Sequence, residues 1–219
     1  MTSSATRSAT DLVQPRRRAA RLASGPVILE AAATLFLRNG YLGTSVDDIA
    51  ALAHVSKQTV YTHFADKEQL FAELIRGNIS RVDAFVESVT AGLGEANALE
   101  DDLRAFARRH VRTVLLPEAV LLRRLVIGEA GRFPQLAREY YERAPQRVIT
   151  ALAQQLARLA ERGLLRIDDP SLAANHLAWL ILGSPLDAAM FGLGDAGGAP
   201  EDLDRVADAA VEVFLAAYS

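Results

Sequence analysis

The chain has 219 residues, half of them apolar, with 24 lysines and arginines against 27 aspartates and glutamates and no cysteine. Such apolar content supports one medium-sized or two small globular domains and excludes a chain disordered throughout. Without cysteine there is no disulfide framework, thiolate nucleophile or cysteine-based zinc site, and a reducing, cytoplasmic setting is the simplest expectation.

The longest uncharged stretch, around residues 177–186, falls far short of the roughly 20 apolar residues a bilayer span requires. No apolar core follows the N-terminal arginines, so a soluble, unexported protein is expected. The net charge of −3 argues at first against a polyanionic partner, but it is unevenly distributed. Residues 1–65 hold 7 basic and 4 acidic side chains, a net +3, and residues 66–219 hold 17 and 23, a net −6. Any contact with phosphate therefore belongs to the N-terminal end.

Residues 1–25 are rich in Ser, Thr, Ala and Arg and lack helical or strand periodicity, so they read as a disordered basic arm. Over 26–39, Ile28, Ala32, Leu35 and Phe36 fall on one helical face, with Pro26 to open the helix and Gly40 to close it. Thr44 and Ser45 offer a hydroxyl N-cap, Asp47 and Asp48 suit the positive end of a helix dipole, and a second short helix ends near Ala53. His54 and Val55 make a tight break, Ser56 caps a third short helix to about Phe64, and Asp66 caps a long fourth one to about residue 92.

Further helices are expected over 99–115, 118–130, 134–163 (broken or kinked near Pro145), 170–191 and 201–218. No segment alternates like a strand. The fold class is all-α with about nine helices: a helix-turn-helix domain over 26–70 and a larger effector-binding and dimerisation domain over 71–219.

Two short helices joined by a tight break and supported by a preceding helix match the helix-turn-helix plan, whose second member enters the DNA major groove. From Ser56 to Lys67 the chain presents hydroxyl, amide, imidazole and ammonium groups suited to phosphates and base edges. Acidic residues are absent between Asp48 and Asp66.

The string Ile28-Leu29-Glu30-Ala31-Ala32, Leu35-Phe36, Gly40-Tyr41, Thr44-Ser45, Ile49-Ala50, Val55-Ser56, Thr59-Val60-Tyr61, His63-Phe64 and Lys67-Glu68 resembles the TetR-type (TetR/AcrR) transcriptional regulators over about residues 27–75. The resemblance implies a DNA-binding N-terminal domain, a helical effector and dimerisation domain, and usually repression relieved by a small ligand. It implies that Thr44, Tyr61, His63 and Lys67 touch phosphates, with Ser45 beside them, that Lys57, Gln58 and Thr59 approach bases, and that Ser56 caps the recognition helix. His54 stands where the family usually has glycine. Histidine is among the non-glycine residues enriched in left-handed turns, so a strained but tolerable turn is expected. Gln58, where glycine is frequent, can pair with adenine N6 and N7.

Each of these side chains also has a plainer reading, Tyr61 as core packing and the lysines and His63 as solvated surface. Arg17 and Arg18 of the arm can enter the adjacent minor groove, whose negative potential attracts guanidinium, or belong to a solubilising tail.

In the C-terminal part, Leu103, Phe106, His110, Leu125, Val126, Glu129, Phe133, Tyr140 and Trp179 are candidates to line a pocket for a largely apolar effector. Leu182, Leu186, Ala189, Val211 and Phe214 are candidates for a two-fold interface made by the last two helices, the symmetry that a palindromic operator requires. The four histidines form no metal-binding pair and no nucleophile has an identifiable base, so neither an enzyme nor a cofactor is expected. The expected function is a homodimeric, ligand-responsive repressor of a double-stranded DNA operator. The alternative is a dimeric helical sensor or carrier of small molecules without specific DNA binding.

Overall fold

The computed structural model describes the backbone of residues 9–93, 98–193 and 200–219, and side chains within these except at 9–23, 80–81, 83–84, 87–92 and 200–201. Among the described residues there are ten helices and no strand. The all-α expectation holds, with the 134–163 segment divided into two helices at Ala144–Pro145, where the proline placed the break.

The chain divides into two compact units, residues 1–74 and 75–219. The first contains α1 (Ala9–Asn39), α2 (Val46–Leu52), α3 (Lys57–His63) and the beginning of α4 (Lys67–Leu93). Helix α1 corrects one expectation. It begins at Ala9 and runs through Gly25 and Pro26, so the backbone of residues 9–25 is helical where a disordered arm was expected. The segment lacks an apolar stripe, but it is built largely of Ala, Leu and Arg, which have the highest intrinsic helix propensities.

The small core of this unit follows the predicted periodicity. Ile28, Ala32 and Phe36 of α1 are buried, as are Ile49 and Ala50 of α2, Val60 of α3, and Leu70 and Phe71 of α4. Phe36, Tyr41 and Phe71 meet with ring centroids 5.2–5.9 Å apart, distances at which aromatic pairs add to the burial term. Gly40, at φ +72°, lets α1 turn into the loop that carries Tyr41 inward.

The second unit holds the rest of α4, α5 (Leu99–Val114), α6 (Pro117–Gly128), α7 (Pro134–Arg143), α8 (Pro145–Glu161), α9 (Pro170–Met190) and α10 (Pro200–Tyr218). Its core joins Leu103, Phe106 and Val111 of α5 to Leu152 and Leu156 of α8, Leu177 and Ile181 of α9, and Val211 and Phe214 of α10. Asp169 caps α9 by accepting from the N–H groups of Ser171 and Leu172. Pro185 lies inside α9 without ending it.

Helices α5 and α10 are further tied by three ion pairs in register. Arg104 pairs with Glu212, Arg108 with Asp208 through two hydrogen bonds, and Arg112 with Asp204. The four-residue spacing on both helices, read in opposite directions, makes an antiparallel ladder. Arg108 holds the Asp208 carboxyl below its ordinary range.

Candidate functional site

The two short helices of the first unit owe their ends to side chains. Ser45 caps α2 by accepting from the Asp48 N–H, and Ser56 caps α3 by accepting from the Thr59 N–H at 3.0 Å. Between them, Val55 N–H bonds to the Ala50 carbonyl and His54 N–H to the Ala51 carbonyl. This is the Schellman arrangement that ends a helix on a left-handed residue. That residue is His54, at φ +53°, as its place in the sequence led us to expect.

Helix α3 is buried on one side by Val60, with Phe64 just beyond its end, and turns Lys57, Gln58, Tyr61 and Thr62 to solvent. Thr59 is half-buried and its hydroxyl is bonded to that of Ser56. The Lys57 ammonium meets Asp47 of α2 at 2.9 Å, an exposed pair of the kind that contributes little and exchanges readily. Asp47 also raises the Lys57 pKa, so this group is a cation throughout the neutral range.

Three residues assigned to phosphate are otherwise engaged. Thr44 is 2% exposed and donates its hydroxyl to the Gly40 carbonyl, closing the loop after α1. Lys67 donates to the carbonyls of Tyr41 and Thr44, both at 3.0 Å, with its ammonium 4.1 Å from the Tyr41 ring centroid. This ammonium ties the start of α4 to the carbonyls of the α1–α2 loop. His63 is half-buried, packs towards Gly25 of α1, and encloses its Nε2 without a hydrogen-bond partner. Ser45 and Ser56 remain exposed at the two helix starts. Arg17 and Arg18 fall among the side chains outside the described set.

The second unit contains a cavity of about 220 Å³ between α4, α5, α6, α7, α8 and α9. Of the nine residues expected to line it, His110, Tyr140 and Trp179 do so. Leu103 and Phe106 lie in the main core, Leu125 and Val126 are buried without reaching the cavity, Glu129 pairs with Arg132, and Phe133 caps α7. The walls missed from sequence include Val82 and Phe85 of α4, Val148 and Ile149 of α8, and Leu182 and Leu186 of α9. The signal was the continuation of the α4 apolar stripe beyond Leu74, which a short link between domains would not need.

Four of the five expected dimer residues are corrected in the same way. Leu182 and Leu186 face the cavity, Val211 and Phe214 lie in the main core, and Ala189 is half-buried. The apolar side chains that α9 and α10 leave exposed are instead Leu172, Trp179, Leu180 and Val213, with Phe191 just past the end of α9.

A recognition helix presented by a capped helix-turn-helix, in a chain whose other unit encloses an apolar cavity, defines a DNA-binding regulator rather than an enzyme. Residues 28–74 match the bacterial regulatory proteins of the tetR family, and residues 101–219 match the AefR-like transcriptional repressor C-terminal domain. A TetR-family transcriptional regulator from Mesorhizobium loti is 42% identical, with a TM-score of 0.83, over 91% of this chain and 98% of that one. The flavonoid-responsive regulator FrrA is 36% identical, with a TM-score of 0.67, over 90% and 97% of the two chains. Curated relatives align over less of their length: YhgD of Bacillus subtilis is 50% identical over 22% of this chain and 25% of that protein. The chain belongs to the TetR family and is a DNA-binding transcriptional regulator; the family binds DNA operators as dimers and consists of regulators rather than enzymes. Among the described residues no helix is long and apolar enough to cross a membrane.

Proposed function

We propose that this protein is a homodimeric, cytoplasmic repressor that releases a palindromic operator when a small, largely apolar molecule enters the cavity of the second unit. The observation that carries the reading is the solvent face of α3, where Lys57, Gln58, Tyr61 and Thr62 stand together on a helix fixed from behind by Val60 and Phe64. Gln58 reads adenine edges, Lys57 exchanges Asp47 for a phosphate or base acceptor, and Tyr61 with Ser45 and Ser56 contacts the backbone. The basic residues of the 1–25 segment add phosphate contacts beside the major groove.

The partner subunit covers the exposed stripe of Leu172, Trp179, Leu180 and Phe191, whose spacing repeats along one face of α9 and just past its end. Helix α4 carries Lys67 at its start and Val82 and Phe85 in the cavity wall, so one continuous element senses the effector and leads to the helix-turn-helix. FrrA is flavonoid-responsive by name, and the resemblance over nine-tenths of this chain favours an effector of aromatic character.

A mobility-shift assay on the DNA flanking the coding region tests the reading. Wild-type protein retards a discrete fragment and the Lys57→Ala, Tyr61→Ala double variant does not. Equal retardation by both proteins overturns the interface, and a folded wild type that retards nothing at low salt favours the alternative of a sensor or carrier without specific DNA binding.

A further inference from the structure

The cavity is apolar over most of its wall but has one built polar feature. His110 of α5 is 4% exposed, lines the cavity, and encloses a ring nitrogen, Nδ1, that has no hydrogen-bond partner. A buried polar atom left unpaired costs free energy, so an imidazole at a cavity wall gains from a guest that offers it a hydrogen bond. The imidazole is held in place by its neighbours: its ring lies 5.8 Å from Phe85 at an interplanar angle of 20° and 5.5 Å from Phe106 at 12°. Near-parallel packing of this kind fixes the ring plane and therefore the direction in which its nitrogens point.

We propose that the cavity selects an uncharged aromatic molecule of one to three rings bearing a hydroxyl group, and that His110 is the specificity-determining residue that hydrogen-bonds this hydroxyl. The inference rests on the reading of the cavity as the effector site and names the chemistry of its ligand. A phenolic hydroxyl both donates and accepts, so it satisfies either tautomer of a neutral imidazole. Burial, aided by the positive charge of Arg123, lowers the His110 pKa to about 4, so the ring carries no charge with which to attract a carboxylate. Arg123 and Glu118 both border the cavity, one charge of each sign. The flat bodies of Phe85, Tyr140 and Trp179 suit a planar ligand. The cavity volume is small beside the roughly 300–1,000 Å³ of drug-sized sites, which limits the ring count.

Three probes of one shape separate the possibilities: 4-phenylphenol, biphenyl and biphenyl-4-carboxylate. Trp179, the single tryptophan of the chain, borders the cavity and reports occupancy by fluorescence, with calorimetry as the second measurement. Wild-type protein is expected to bind 4-phenylphenol about tenfold or more tighter than biphenyl, the discrimination of a site built for a hydroxyl, and the carboxylate most weakly. His110→Phe keeps an aromatic ring and removes both nitrogens; it should abolish the preference for 4-phenylphenol over biphenyl, read as the ratio of their affinities. His110→Gln, which retains a donor and an acceptor, should keep part of the preference and guards against a folding artefact in the first variant. A preference that survives in His110→Phe overturns the assignment of His110, and equal binding of phenol and parent by wild type overturns the proposal as a whole. Tightest binding of the carboxylate overturns the ligand class. If none of the three binds, the proposed ligand class falls, while the effector reading stands or falls separately on whether any small molecule releases the retarded DNA.

Discussion

A histidine sealed among phenylalanines makes the stability of the second unit depend on acid in a way that can be worked out. Burial lowers the pKa of His110 from 6.5 to about 4, so the folded chain disfavours its charged form and the unfolded chain does not. Near neutral pH both states hold it uncharged and it adds no pH dependence. As pH falls below 6.5 the unfolded chain takes up the proton first, and stability is lost until the folded group also titrates near 4. By linkage the loss is about 2 kcal/mol between about pH 7 and pH 5, and about 3 kcal/mol once the pH is well below 4. Urea unfolding of wild type and His110→Phe at these two pH values isolates the contribution, because carboxylates common to both proteins cancel in the difference. The wild type should lose about 2 kcal/mol more than the variant on acidification. Parallel losses would refute the reasoning, since they would mean that the imidazole is hydrated or paired in the folded protein.

Three other outcomes follow from the structure. His54→Gly should raise stability by about 0.5 kcal/mol in urea unfolding, because relief of the left-handed backbone slightly outweighs the extra freedom of the unfolded chain, and His54→Val should lower it; a loss with glycine would mean that the histidine ring makes a compensating contact. Lys67→Met, which removes the ammonium from the Tyr41 and Thr44 carbonyls, should destabilise by about 1–2 kcal/mol and leave the salt slope of DNA binding unchanged, whereas Lys57→Ala should reduce that slope by about 1. A reduced slope in Lys67→Met, measured by fluorescence anisotropy across a salt titration, would return Lys67 to the phosphate contacts. Asp208→Asn should lower Tm slightly at neutral pH, with the deficit shrinking in high salt and also as acid protonates Asp208 in the wild type, because its depressed pKa makes the pair a source of stability only above that pKa. A deficit independent of salt would place its origin in packing.

Much of the architecture was legible because its boundaries are written in side chains that act locally. Ser45, Ser56 and Asp66 each accept from a backbone N–H at the start of the helix they were expected to cap, and Asp169 does the same ahead of the expected opening at Pro170. The left-handed turn at His54 was legible from the resemblance, which has glycine at that place. What sequence could not supply was direction in helices without a contrasting face. Helix α9 is apolar nearly all round, so periodicity could not say that Leu182 and Leu186 point into the cavity while Trp179 and Leu180 are exposed. Lys67 failed differently: its partners are backbone carbonyls 23 and 26 positions earlier, a contact that residue types do not encode. The α1 extension shows propensity outweighing the lack of an amphipathic pattern.

The α5–α10 ladder bears on which parts of the second unit are free to respond. Sliding either helix by one turn, about 5.4 Å, leaves one end rung of the Arg104, Arg108, Arg112 set facing no acid, and each remaining pair must be broken before it can re-form. The two helices are thereby held in register with each other, whereas α4, α6, α7, α8 and α9, the other walls of the cavity, carry no rung of the ladder. On the proposed reading of the cavity, a guest that meets His110 therefore meets the helix whose register the ladder fixes.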